Sequence, residues 1–166
     1  MPNWCEGNIR LRGKRENIVN FLKSEFSFVA TPRGNFLGTI QRELVFEDDG
    51  YEFGLKFPAD VEDAIWPTMY INGTHRNFIE SDSIEVYGDK PEITVCIDNF
   101  KAAWGVDAAP YLEKARKHGV DIRIVGFEKG MEFMQVIEIV DGNIIRNDET
   151  EYDDWMWECP MPNMGG

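Results

Sequence analysis

Apolar and polar positions along this chain alternate in places with a period of two and in others with a helical period. The points where the period changes divide it into elements. Asn8-Ile9-Arg10-Leu11-Arg12 alternates, so Cys5, Ile9 and Leu11 share the core face of a strand that Gly13 breaks. Over 14–26, Ile18, Val19, Phe21, Leu22 and Phe26 form the apolar stripe of a helix. Residues 27–38, with Pro32, Gly34 and Gly38, read as irregular. Leu44-Val45-Phe46 and the alternating Tyr51, Phe53, Leu55 and Phe57 flank Asp49-Gly50, which predicts a hairpin. Asp60 is placed to cap a short helix carrying Val61, Ala64 and Ile65 and stopped by Pro67, and 67–82 reads as a loop.

Ile84 and Val86 begin another strand, which turns at Gly88-Asp89-Lys90-Pro91 and returns through Ile93, Val95 and Ile97. A connection over Asn99–Asp107 leads to a helix with Pro110 in its first turn, Tyr111, Leu112 and Ala115 on its apolar side, and Gly119 as a left-handed cap. Val120, Ile122 and Ile124 make a strand. Residues 131–140 are apolar at both parities, as in a strand covered on both faces. Asp141-Gly142 then turns the chain into Asn143-Ile144-Ile145. The order β-α, a β-rich middle, then β-α-β-β predicts an α+β fold. The expected form is a ferredoxin-like antiparallel sheet with two helices on one face and a β-rich insertion. One domain would span 1–166, with the insertion at about 30–91 and a tail at 147–166.

Composition adds a size argument: 43% apolar and 13% aromatic residues in 166 suffice for a core without staples. No run of about 18 apolar residues is present, so no membrane span is expected. The opening Met1-Pro2-Asn3-Trp4-Cys5 has no secretory pattern, and three scattered cysteines suit a reducing compartment, so a cytoplasmic location is expected. Charge changes the picture more. The net −13 divides into +3 over residues 1–46 and −16 over the remainder, which disfavours direct nucleic-acid binding and leaves a protein partner as the expectation.

Candidate chemistry is sparse. Cys5, Cys96 and Cys159 with His75 or His118 lack the close pairing of a metal site, and Cys5 and Cys96 are expected to pack inside strands. His75 falls in a polar loop and His118 near a helix end, where solvation or capping explains them better than catalysis. Glu47-Asp48-Asp49 and Asp153-Asp154 lack calcium-loop spacing, and no phosphate loop occurs. No cofactor, metal or catalytic residue is expected. The binding candidates are Trp104 and Asp107 before the second helix, and Tyr152, Asp153, Asp154, Trp155 and Trp157 in the acidic aromatic tail. That tail reads either as an edge strand packing its tryptophans on the sheet, or as an exposed arm that seats aromatics in a partner. The acidic surface as a whole reads first as an aid to solubility and otherwise as a face for a basic partner.

Three stretches resemble one family. They are Met1-Pro2-Asn3-Trp4-Cys5 with Asn8 and Gly13; Phe100-Lys101-Ala102-Ala103-Trp104 with Ala109-Pro110; and Phe127-Glu128-Lys129-Gly130-Met131-Glu132-Phe133 with Asp141-Gly142. In this order they resemble the YubB-like proteins of phages, plasmids and prophages, which carry a ferredoxin-like domain. The tryptophan-rich stretch many relatives have before the second strand–helix unit is missing from 58–91, and Gly105-Val106-Asp107 departs from the family's turn. The resemblance implies a mobile-element context and no reaction. The expected function is an accessory protein acting by protein–protein binding. One alternative is an acidic mimic of nucleic acid that inhibits a host defence protein. Another is a carboxylate- or metal-dependent enzyme.

Overall fold

The computed structural model describes residues 3–61 and 63–166. β1 (Trp4–Lys14), α1 (Arg15–Glu25) and β2 (Phe26–Pro32) follow one another without a linking residue. β1 buries Cys5, Ile9 and Leu11 on one parity and runs through Gly13. Then come β3 (Ile40–Arg42), β4 (Val45–Asp48), β5 (Glu52–Lys56), β6 (Ala64–Ile71), β7 (Asn77–Ile79), β8 (Ser83–Tyr87) and β9 (Glu92–Ala103). They are followed by α2 (Ala108–His118), β10 (Asp121–Glu128), β11 (Phe133–Val140), β12 (Asn143–Glu151) and the single turn α3 (Trp155–Glu158).

This architecture overturns the expected ferredoxin-like α+β fold with a β-rich insertion. Strands hold 51% of the described residues and helices 16%. Nine strands form one antiparallel sheet in the order β12-β11-β10-β1-β9-β7-β6-β2-β3, and β4-β5-β8 form a second. The difference arises in the middle of the chain, where segments that read as irregular, helical or loop hydrogen-bond into the main sheet. β2 pairs with β6 through Phe26 and Ile71, and β7 pairs with β9 through Asn77 and Ala102. In place of the helix expected after Asp60, Ala64 and Ile65 open β6; Glu62 lies outside the described residues. Pro67 hid this strand. It sits where the β2–β6 register slips opposite Val29 and Thr31, a bulge that tolerates a residue with no N–H. A second difference is that β8 and β9 form no hairpin. β8 pairs with β5 in the small sheet, and β9 pairs with β1 and β7 in the large one.

Because neighbouring strands run antiparallel, β1 and β2 run the same way with β9, β7 and β6 between them, and α1 links the two while packing on β1, β5 and α2. β9 and β10 likewise run the same way on either side of β1, and α2 links the two while packing on β10, β11, β12 and α1. Gly7 lets β1 and β10 approach: a Cβ there would stand 1.8 Å from the Val125 carbonyl oxygen. On the inner face, α1, α2 and the apolar side of the small sheet share one core that includes Ile9, Phe21, Phe53, Ile97, Tyr111 and Ile137. The small sheet docks on α1 through the Arg15 guanidinium, 4.4 Å above the Phe53 ring and bonded to both Asp48 oxygens at 3.0 and 2.7 Å. Among the described residues no helix is long and apolar enough to cross a membrane.

Candidate functional site: an aromatic shelf on the outer face

Residues directly paired across an antiparallel ladder project to the same side. Tyr70, Phe78, Lys101, Glu6, Phe127 and Met134 are paired in succession, so their side chains cross the outer face in one row from β6 to β11. The two halves of that row have different fates. Over β10 and β11 the carboxyl-terminal tail covers it: Phe127, Trp155 and Cys159 are buried together, with Val125, Met134, Tyr152 and Met164 against them. Trp155 Nε1 donates to the Pro162 carbonyl at 2.8 Å, and the Gly165 N–H donates to Glu6 Oε2 at 3.1 Å. The tail ends where the Gly166 N–H donates to the Trp4 carbonyl.

Beyond that point no described residue covers the row in the way the tail does. Trp4, Phe78 and Tyr70 are half-buried and meet edge-on or tilted, at 6.1 Å between Trp4 and Phe78 and 5.7 Å between Phe78 and Tyr70. Trp104 stands beside them, 55% exposed, with the His75 ring stacked on it at 6.3 Å. The Arg76 guanidinium carbon lies 5.5 Å from the Trp4 ring centre and 5.7 Å from that of Trp104. Lys101 Nζ lies 4.7 Å from the Trp4 ring centre, but its charge is also met by Glu80 at 3.0 Å and Glu6 at 3.6 Å. Among the described residues no ion pair involves Arg76. The shelf therefore offers apolar rings around a guanidinium that lies close to two indole rings and that no described carboxylate meets at ion-pair distance.

Backbone geometry fixes this arrangement. Arg76 and Trp104 adopt φ of 57° and 64°, left-handed conformations that cost non-glycine residues of order 1–3 kcal/mol. They persist because the Ala103 N–H donates to the Arg76 carbonyl at 3.2 Å and the Trp104 N–H to the Asn3 carbonyl at 2.9 Å. Beneath the shelf, Asn77 Nδ2 donates to the Tyr111 hydroxyl at 2.8 Å, tying β7 to α2. Burial pushes the Tyr111 phenol well above its ordinary pKa, so it stays neutral in this role.

Of the residues singled out in the sequence, Trp104 belongs to the shelf. Asp107 caps α2, accepting the Ala109 N–H at 3.0 Å. Tyr152 and Trp155 pack with the tail on the sheet. Asp154 caps α3 by accepting the Trp157 N–H, and Asp153 donates its own N–H to Glu158. Trp157 is 86% exposed. The tail therefore divides the two readings given to it: one tryptophan packs and the other projects. Arg76, Tyr70 and Phe78 are not candidates from the sequence, where 67–82 carries the signals of a loop. The alternation of Thr68 and Tyr70 with Met69 and Ile71 was the available signal.

The remaining candidates resolve into structure. The acidic depression of about 420 Å³ on the small sheet has its carboxylates engaged nearby. The Arg15 guanidinium holds Asp48 below the usual carboxylate range, and the Glu52 and Tyr51 N–H groups do the same for Asp49. Among the described residues no group of three or more His, Cys, Asp and Glu side chains is arranged to hold a metal. Burial, reinforced by Glu128, Glu149 and Glu6, pushes the Cys5 thiol up to about 12. Cys96, expected to pack, is exposed, because opposite Arg10 its parity points to the outer face. Comparison with family models, curated proteins and solved structures finds no match for this chain.

Proposed function

We propose that this chain is a non-catalytic accessory protein that works by docking another protein on the open half of its outer face. A mobile-element setting belongs to the same proposal and rests on the three YubB-like stretches alone. The observation that carries the docking reading is the unpaired Arg76 guanidinium between the Trp4 and Trp104 rings. Tryptophan, tyrosine and arginine dominate the small sets of residues that supply most interface energy, and rigid placement lowers the entropic cost of binding.

Aromatics beside cations on a sheet also suit single-stranded nucleic acid. Magnitudes weigh against that reading. Phosphate binding needs several uncompensated cations, whereas Lys101 is already met by two carboxylates and the chain carries −13 overall. One free guanidinium among rings fits a single carboxylate beside apolar side chains. Affinity capture from host lysate with Trp104→Ala as the comparison tests this. Truncating a hot-spot tryptophan should weaken capture by about thirtyfold or more, while Tyr87→Ala, at an exposed aromatic of the small sheet, should leave it unchanged. A partner retained equally by wild type and Trp104→Ala would overturn the assignment of the shelf.

A further inference from the structure

We propose that the occupant of the shelf is the acidic aromatic arm of a second copy of this chain, a proposal that rests on the reading of the shelf as a protein-docking surface. The arm is residues 152–158. Its single helical turn is clamped on one side, where Trp155 and Cys159 are 3% and 5% exposed. On the other side Met156 is 63% and Trp157 86% exposed. This is a rigid presentation: Asp154 caps the turn, Trp155 is bonded to Pro162, and Tyr152 meets the Trp155 ring at 5.7 Å. An indole held this far out by a buried neighbour loses little freedom on binding.

Arm and shelf are complementary in kind. The arm offers an indole, a thioether and the carboxylates Asp153, Asp154 and Glu158, without a cation. The shelf offers the rings of Trp4, Phe78 and Trp104 and the uncompensated Arg76. A methionine sulfur against aromatic rings and a carboxylate on a stacked guanidinium are both favourable contacts.

Placement supplies the symmetry. Arm and shelf lie on the same outer face, the arm anchored over β10 and β11 and the shelf spanning β1, β9, β7 and β6. Set two copies outer face to outer face, related by a two-fold axis parallel to the strands. Each copy's arm then comes over the other's shelf, so the contact is made twice and closes on itself. At about 0.15 M salt the Debye length of about 8 Å screens much of the repulsion between two chains of net −13.

Sedimentation velocity over a concentration series in that salt tests the proposal. Wild type should shift from monomer to dimer. Trp157→Ala, which removes the arm's indole, and Arg76→Glu, which reverses the shelf's free charge, should each raise the dissociation constant by at least about thirtyfold. An equimolar mixture of the two variants should recover part of the dimer, because an intact arm can then meet an intact shelf. Arg76→Ala, with thermal melting of each variant, guards against misfolding at the left-handed position. A wild type that stays monomeric throughout, a Trp157→Ala chain that dimerises like wild type, or a mixture no better than its components would each overturn the proposal. A monomeric wild type whose captured partner is still lost through Trp104→Ala would overturn self-docking alone. A captured partner indifferent to Trp104→Ala would overturn the shelf reading beneath it.

Discussion

Glu25, the last residue of α1, is 3% exposed and bonded to α2 by Lys114 at 2.8 Å, Lys117 at 2.7 Å and His118 at 2.7 Å. Burial alone would raise its pKa. The hydrogen bonds from the three α2 side chains outweigh that and hold it at about 2, against an ordinary 4.5. The folded pKa is depressed, so the stabilisation is present above the unfolded pKa and is lost as pH falls from about 4.5 through about 2. The size is on the order of 3 kcal/mol. Glu25→Gln should therefore lower unfolding free energy at pH 7 by about 3 kcal/mol, because it leaves the buried Lys114 without its counter-charge. In urea titrations the gap between wild type and variant should narrow between pH 4.5 and pH 2, and a gap that stays constant across that window would contradict the account. Nothing local announced this network, since a glutamate at a helix end is ordinary in sequence. The same holds for Arg76, whose meaning comes from two tryptophans about 72 and 28 positions away in the chain.

Elements whose signals are local were legible, and those decided by pairing were not. α2 carries its own boundaries: Pro110 fits its first turn and Gly119 ends it at φ 63° with its N–H donating to the Ala115 carbonyl, while Asp107, expected as a binding residue, is its N-cap. Asp107→Ala should cost about 1 kcal/mol, which for a chain of this size lowers the melting temperature by about 2–4 °C. Calorimetry would read this, and no change would remove the cap from the account. The β4–β5 hairpin was legible for a similar reason, its Asp49 carboxylate accepting the Tyr51 and Glu52 N–H groups at 2.9 and 2.7 Å. β2 and β6 were hidden. β2 follows α1 directly, so the period changes at Phe26 without a turn to mark it, and β6 contains Pro67 and the left-handed Trp66 at its bulge. β8 and β9 show a third cause. A strand–turn–strand pattern does not say whether its two strands share a sheet, and here long-range pairing sends them to different ones. The far edge is managed by charge: β12 carries Arg146, Asp148, Glu149 and Glu151, which discourage another strand from adding there.

At the scale of the molecule, the main sheet has an inner face closed by two helices and a second sheet, and an outer face that, among the described residues, the chain's own tail closes over half its width. Trp104 marked the open half in the sequence. The shelf around it could not be read there, because its members come from β1, β6, the turn into β7, β7 itself and the residue after β9, brought together only by the nine-stranded order. A protein seated on this open half is caught by site-specific photo-cross-linking, with p-benzoylphenylalanine in place of His75, whose exposed ring lies on Trp104, in place of Tyr87 on the small sheet, and in place of Trp66 near Phe36. Docking there gives a protein adduct from position 75, to a second copy or to another chain, and none from position 87 or 66. Adducts at 87 or 66 with none at 75 would overturn it.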